Sequence, residues 1–381
     1  MSIRRRTWKT QNGESRSSWL VDYRDRDGQR HITSFAIKKD ATAYDAEVRT
    51  AVRAGTHTAP SRSPTVAEAI TDWIERGENE QLERATLKQY RELGAHIEHH
   101  VGTARLAHLT APGVNAFRDT LLRTMSRAMA RKILTALKGI LGEAQRRGNV
   151  AQNVAIGVRI GPDKRKAGLE VGADIPSPTE IQRILAAAPE RARPLLITAA
   201  LTGLRASELR GLRWDDVDLR RGELHVRQRA DRYGVLGRPK SRAGQRTIPL
   251  GPMVVNTLKA WRLATTSTSL VFPTRTGKVS DHSNLLRRVF GPVQVAAGVV
   301  TVSGKPKYSF HALRHFYASW CINRRVDGGL ELPLKVVSAR LGHASIQITA
   351  DRYGHLFPRG DDGAELVAAE RSLLGPIAHS P

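Results

Sequence analysis

The sequence predicts a multidomain, mainly α protein. It reads as a small α+β domain at residues 1–55, a helical domain at 64–160 and a mostly α domain with a small β-sheet at 174–381. Three observations predict this. A length of 381 residues allows two or three domains. Strand-rich segments fill the first 37 residues, whereas capping boxes followed by helical-period runs dominate after residue 64. Two weakly periodic stretches, Gly55–Pro64 and Asn153–Ala173, separate the blocks as linkers.

The elements follow in order. Arg4–Lys9, Ser18–Arg24 and Arg30–Ile37 are rich in Trp, Tyr, Val, Ile and Thr, with turns at Gln11-Asn12-Gly13 and Asp27-Gly28. Lys38–Arg53 reads as a helix with Ala43, Ala46 and Val48 inward. Such a sheet, presenting arginines, suits a major groove, and equally suits a small module with a solvated basic face. Thr65-Val66-Ala67-Glu68 is a capping box ahead of Ala69, Ile70 and Trp73, and Thr86-Leu87-Lys88-Gln89 a second, ahead of Tyr90, Leu93 and Ile97. Thr110–Arg123 and Ser126–Arg147 complete a four-helix block. In the last domain, Ser177-Pro178-Thr179-Glu180 starts a helix carrying Ile181, Ile184, Leu185 and Ala188. Glu223–Arg229 and Gln245–Leu250 are strand-like, and Ala364–Leu374 is a short amphipathic helix.

Composition bounds the function. Hydrophobic residues make up 40% and charged residues 25%, as in a globular protein. The net charge is +25, spread over every segment, and such self-repulsion is relieved by a polyanion. Nucleic acid is the first partner to expect. A membrane is not expected, because no basic helix backs onto a strongly apolar face and the apolar run at Pro194–Leu204 is too short to span. Cys321 is the only cysteine, which excludes a disulfide framework and fits a reducing cytoplasm. The opening MSIRRRTWKT lacks the apolar core of a secretory signal.

Metal-dependent phosphate chemistry needs clustered carboxylates or histidine sets. Asp215, Asp216 and Asp218 read better as a polar turn, and His96, His99 and His100 as a solvated helix face. His311 and His315 lie one turn apart, but Ala312 stands where a zincin has Glu. No metal site is expected. What remains is a series of cations and a late tyrosine: Thr202-Gly203-Leu204-Arg205-Ala206-Ser207-Glu208-Leu209, Pro239-Lys240-Ser241, His311-Ala312-Leu313-Arg314-His315, Leu341-Gly342-His343 and Tyr353.

That set resembles the tyrosine recombinase (phage integrase) family, whose motifs occur in this order and at similar spacing over about the last half of the chain. The helical block resembles the family's core-binding domain. Residues 1–55 resemble the arm-binding module of integrases that hold two kinds of DNA site. The resemblance implies a site-specific recombinase that needs no cofactor and cuts DNA through a 3′-phosphotyrosine. Tyr353 would be the nucleophile, with Arg205 and Arg314 on the phosphate oxygens, because guanidinium matches phosphate bidentately. His311 and His343 would hydrogen-bond the phosphate, His311 also taking the tyrosine proton. Glu208 would orient the cations, and Lys240, on a β-hairpin returning through Thr247-Ile248-Pro249-Leu250, would protonate the leaving 5′-oxygen. Ser241 replaces the usual Thr, and Val326–Pro333 is longer than usual. Further DNA contacts are expected from Arg5, Lys9, Arg24, Thr86, Lys88, Arg131, Lys132 and Arg242. The implied partners are double-stranded DNA with core-type and arm-type sites, three further protomers in a homo-tetramer, and DNA-bending accessory proteins. The expected task is integration or excision of a phage or mobile element. The alternatives are chromosome-dimer resolution and an inactive DNA-binding relative.

Overall fold

The computed structural model describes residues 2–25, 28–54, 63–161, 168–265, 269–357 and 363–375. Most of the expected linker (55–62) and the basic run Lys164-Arg165-Lys166 lie outside the described residues. The chain divides into two compact units, 1–164 and 165–381.

The first unit holds two hydrophobic cores. One is built by an antiparallel meander of β1 (Ser2–Lys9), β2 (Ser15–Arg24) and β3 (Arg30–Phe35). The register pairs Ile3 with Val21 and Trp19 with Phe35, so Ile3, Trp19, Val21, Tyr23 and Phe35 share one face. Helix α1 (Lys38–Ala54) covers that face. Its inward residues are Ala41, Tyr44, Asp45 and Val48, whereas Ala43 and Ala46 are exposed, against expectation. Residues 41, 44/45 and 48 form one stripe at helical spacing, and a residue two positions from either end of the stripe falls on the far side.

The other core lies among α2 (Val66–Asn79), α3 (Arg84–Val101), α4 (Ala111–Thr124) and α5 (Arg127–Arg146). The Thr65/Glu68 capping box forms: Glu68 accepts from the Thr65 backbone N–H at 2.7 Å, and Thr65 Oγ1 from that of Glu68 at 3.2 Å. Trp73 stacks on Tyr90 with centroids 3.7 Å apart, beside Gly139, where a Cβ would lie 3.5 Å from the indole nitrogen. The expected second capping box does not form. Glu83 is the N-cap of α3 and makes no side-chain cap, so Thr86 sits inside the first turn. The chain reverses at Gln81, with φ of 54°, and both Leu82 and Leu87 pack over Gly77. Helix must start directly after Leu82 to bring Leu87 back.

In the second unit, helices α6 (Pro178–Ala187), α7 (Arg193–Thr202) and α8 (Ala206–Arg210) precede a sheet of β4 (Val217–Asp218), β5 (Glu223–Val226) and β8 (Arg246–Pro249). A separate ribbon, β6 (Arg229–Ala230) and β7 (Leu236–Gly237), lies between β5 and β8 in sequence. The expected return strand therefore pairs with β5, Leu224 opposite Ile248, rather than with the strand leading to Lys240. Asp218 Oδ1 accepts from the N–H groups of Arg220 and Arg221 at 2.9 Å each, a polar turn. Helices α9 (Pro252–Ala264) and α10 (His282–Asn284), a π-helical turn (Leu285–Phe290), α11 (Gly291–Ala296), α12 (Ala312–Ile322), α13 (Leu334–Leu341), α14 (Ile346–Tyr353) and α15 (Gly363–Leu374) complete it. Leu196, Ala200, Leu209, Leu224, Ile248, Leu258 and Leu313 share its main core. No described helix is long and apolar enough to cross a membrane.

Trp73→Ala removes the ring that Tyr90 and Gly139 pack against. It is expected to cost about 3–5 kcal/mol of folding stability, read by denaturant unfolding.

Candidate active site

The site is organised by the end of α13. Gly342, at φ +64°, caps the helix in the left-handed region, and the N–H groups of Gly342 and His343 return to Ala339 and Ser338. The carbonyls of Arg340, Leu341 and Gly342 remain for other donors. Three arginines, each from a different part of the unit, take them. Arg246 Nε, on β8, donates to Arg340 O at 2.7 Å, and Arg205 Nη2, just ahead of α8, donates to Gly342 O at 3.0 Å. Arg314 Nη2, on α12, donates to Leu341 O. Arg314 Nη1 also donates to Gly203 O at 2.8 Å. Gly203 ends α7 at φ +62°, and a Cβ there would lie 2.3 Å from Tyr317.

Glu208 balances part of this charge. Its carboxylate accepts from the Arg205 backbone N–H and Nη1 at 2.8 Å each, and from Arg246 Nη1 and Nη2 at 3.1 and 2.8 Å. Burial raises its pKa, but the bonds and charges of Arg246 and Arg205 outweigh that and hold it at about 2. Arg314 is only 2% exposed, and burial, with the charge of Arg205, pushes it down to about 9. At neutral pH the cluster carries three guanidiniums against one carboxylate, a net positive charge suited to an anion.

Tyr353, the last residue of α14, is 1% exposed. Its hydroxyl lies 2.6 Å from His315 Nδ1, and its ring runs parallel to that of His343 with centroids 6.4 Å apart. His343 Nδ1 is 2.7 Å from Thr349 Oγ1. The rings of His311 and His315 meet edge-on, with centroids 4.7 Å apart. Burial raises the Tyr353 phenol to about 12 despite the Arg314 and Arg352 charges. Burial and neighbouring cations push His311 and His343 down to about 4, and His315 to about 3. In the resting site a neutral imidazole faces a neutral phenol.

The structure gathers Arg205, Glu208, Arg314, His343 and Tyr353 around the α13 terminus, with His311 beside His315. The histidine that touches the phenol is His315, not His311. Lys240 lies in the exposed loop between β7 and β8, with Arg242 exposed in the same loop. In the first unit, Arg24 alternates onto the open sheet face with Arg4, Arg6 and Arg30, whereas Arg5 and Lys9 alternate to the helix-bearing face. Thr86 is half-buried in α3, and Lys88, Arg131 and Lys132 are exposed. Sequence reasoning missed two residues. His315 stands in the quoted motif, four residues from His311 and so on the same helix face, which was its signal. Arg246 had none beyond its charge.

The sequence pattern of the phage integrase family matches residues 177–359, which contain this whole constellation. A tyrosine recombinase XerC of Xylella fastidiosa is 30% identical over 248 residues, covering 61% of this chain and 72% of that protein. The chain belongs to the tyrosine recombinase family. A XerC-like tyrosine recombinase of Caldanaerobacter subterraneus is also 30% identical, over 58% of this chain, and the chain spans only 61% of its length. The fold of this recombinase is shared with the Tn1549 transposon integrase solved with a circular intermediate DNA, at a TM-score of 0.65 and 15% identity over 81% of this chain and 99% of that one. It is shared too with a lambda integrase dimer on a core site, at 0.59 and 18% over 91% and 93%. Among the described residues no three His, Cys, Asp or Glu side chains group to hold a metal ion.

The depressed histidines make stability depend on pH on the acid side. His315 sits at about 3 in the fold, below its ordinary value, so the unfolded chain binds the proton more readily. Stability is full above about pH 6.5 and falls as pH drops toward the folded value, by up to about 1.4 kcal/mol per pH unit for this residue. The thermal unfolding midpoint is expected to fall as the pH drops from about 7 to about 5, and less steeply in His315→Gln.

Proposed function

We propose that the chain is an integrase-type site-specific recombinase acting on double-stranded DNA, with Tyr353 as nucleophile. The observation that carries this reading is the Tyr353 hydroxyl in contact with His315, within a unit whose guanidiniums converge on one helix end. Arg205 and Arg314 each have five N–H donors, so their carbonyl bonds leave others for the non-bridging oxygens of a scissile phosphate. Phosphate entry brings negative charge among the imidazoles and raises their hold on a proton. His315 Nδ1 then takes the phenol proton as Tyr353 Oη bonds to phosphorus. The P–O5′ bond breaks, Lys240 protonates the departing oxygen, and a 3′-phosphotyrosine remains. Attack by another 5′-hydroxyl reverses the step on a new partner, and the phosphodiester energy is conserved in the covalent link. Because Tyr353 is buried, α14 has to move for the phenol to meet DNA.

The task we propose is integration or excision of a mobile element by four protomers on DNA, in a cytoplasmic setting, with DNA-bending accessory proteins where the sites require them. The separate β1–β3/α1 module supports it, as a second DNA-reading surface with Arg4, Arg6, Arg24 and Arg30 on its open face. An integrase of Streptomyces ambofaciens, 27% identical over 76% of both chains, supports it too. The exposed Leu366, Val367 and Leu373 of α15 leave an apolar face for a neighbouring protomer to cover. The XerC relatives favour a second reading, resolution of chromosome dimers.

A nicked duplex carrying the repeated core sequence flanking the coding gene is the test substrate. It should trap covalent protein–DNA complex with the natural chain and none with Tyr353→Phe, whose DNA binding stays within about twofold, since the cations grip the phosphate. Covalent complex in the Phe variant removes Tyr353 from the role. Footprints on the flanking DNA separate the tasks: an arm-type footprint lost when residues 1–55 are deleted supports the integrase, and its absence favours the resolvase.

A further inference from the structure

We propose that Arg246 is a positioning residue for the leaving-group step, holding the Lys240 loop in register with Arg205 and His343. The proposal rests on the reading of Lys240 as general acid.

The connections are continuous. Arg246 begins β8, anchored through the Val226–Arg246 pairing with β5. Its side chain is 6% exposed and reaches three places at once. Nε holds the Arg340 carbonyl, two residues before the Gly342-His343 turn. Nη1 and Nη2 hold both oxygens of Glu208, whose carboxylate also holds Arg205. Nη1 turns back to the Gly244 carbonyl at 3.0 Å, inside its own loop. Gly244 in turn lies flush against Pro239, where a Cβ would come 2.6 Å from the proline Cβ. Pro239 is bonded to Lys240. One guanidinium thus ties the loop bearing the lysine to the carboxylate that orients Arg205 and to the helix end that carries His343.

The fit is tight on the far side too. A Cβ on Gly342 would lie 2.9 Å from both Cδ and Nη1 of Arg246. Lysine in place of Arg246 keeps the charge but has a single ammonium and no planar fork, so it cannot hold Arg340, Glu208 and Gly244 together. The phosphate end and the leaving-group end of the site are built on different segments, and general-acid catalysis requires Lys240 within hydrogen-bond reach of the 5′-oxygen. Arg246 spans them.

A merely electrostatic or structural role predicts something different. Loss of Arg246 would then weaken Glu208 and Arg205 and slow attack at phosphorus whatever the leaving group. A positioning role for the acid disappears when no acid is needed. Single-turnover cleavage of the nicked core-site duplex is therefore compared with the same duplex bearing a 5′-bridging phosphorothiolate, whose thiolate leaves unprotonated. The variants are Lys240→Ala, Arg246→Lys and Gly244→Ala. The last pushes on Pro239 while leaving the Glu208 carboxylate and every guanidinium chemically intact. Arg246→Lys and Gly244→Ala should slow cleavage of ordinary DNA by about tenfold or more yet stay within about threefold of the natural enzyme on the phosphorothiolate. Rescue of Lys240→Ala but not of these two overturns the positioning role alone. Equal losses for Lys240→Ala on both substrates overturn the general-acid reading and this proposal with it.

Discussion

Three successive carbonyls at the end of one short helix hold the site together. Helix α13 closes on Gly342, and its cap satisfies only Ala339 and Ser338. The carbonyls of Arg340, Leu341 and Gly342, at the negative end of the helix dipole, draw Arg246, Arg314 and Arg205 from three separate segments. Taking a guanidinium out of water is costly unless it is hydrogen-bonded, and a fan of carbonyls supplies such bonds without adding neutralising charge. The cations stay cations. A carboxylate at each position would cancel the charge.

Among the described residues only Glu208 pairs with these guanidiniums, and it is shared between Arg205 and Arg246. Burial dominates the rest of the electrostatics, and the surplus positive charge acts on top of it. That charge helps hold His311, His315 and His343 neutral and tempers, without reversing, the rise of the Tyr353 phenol. At rest the Tyr353 phenol is protonated and enclosed. On the proposed reading, a DNA phosphate entering the site would change that balance, making DNA both the reactant and the trigger of ionisation.

Much of this was legible in the sequence, for definable reasons. The motif residues report directly, because a helix cap such as Gly203 or Gly342 and the arginine beside it are local features. Ser177-Pro178-Thr179-Glu180 was legible for the same reason, and its capping box is present. Long-range geometry was not legible. Arg246 meets Glu208 across 38 residues and Arg340 across 94. Which of two histidines on one helix face touches the phenol depends on where α14 packs, so His315 was passed over for His311. The start of α3 was misread because packing of Leu87 over Gly77 overrides a good local capping signal at Thr86. The inward face of α1 was misread because small alanines fit either side of a helix, and only Tyr44 and Val48 decide it.

The guanidiniums are held by carbonyls in the absence of DNA, so on the proposed reading they are set in place before it arrives. The most direct measurement is a structure of the recombinase on core-site DNA with vanadate standing in for the phosphorane between Tyr353 and the 5′-oxygen. The account predicts that Arg205 and Arg314 keep their bonds to Gly342 O and Leu341 O, shifting by no more than about 0.5 Å, while other N–H groups on the same side chains meet the vanadate oxygens. Guanidiniums that leave those carbonyls to reach the vanadate would contradict it.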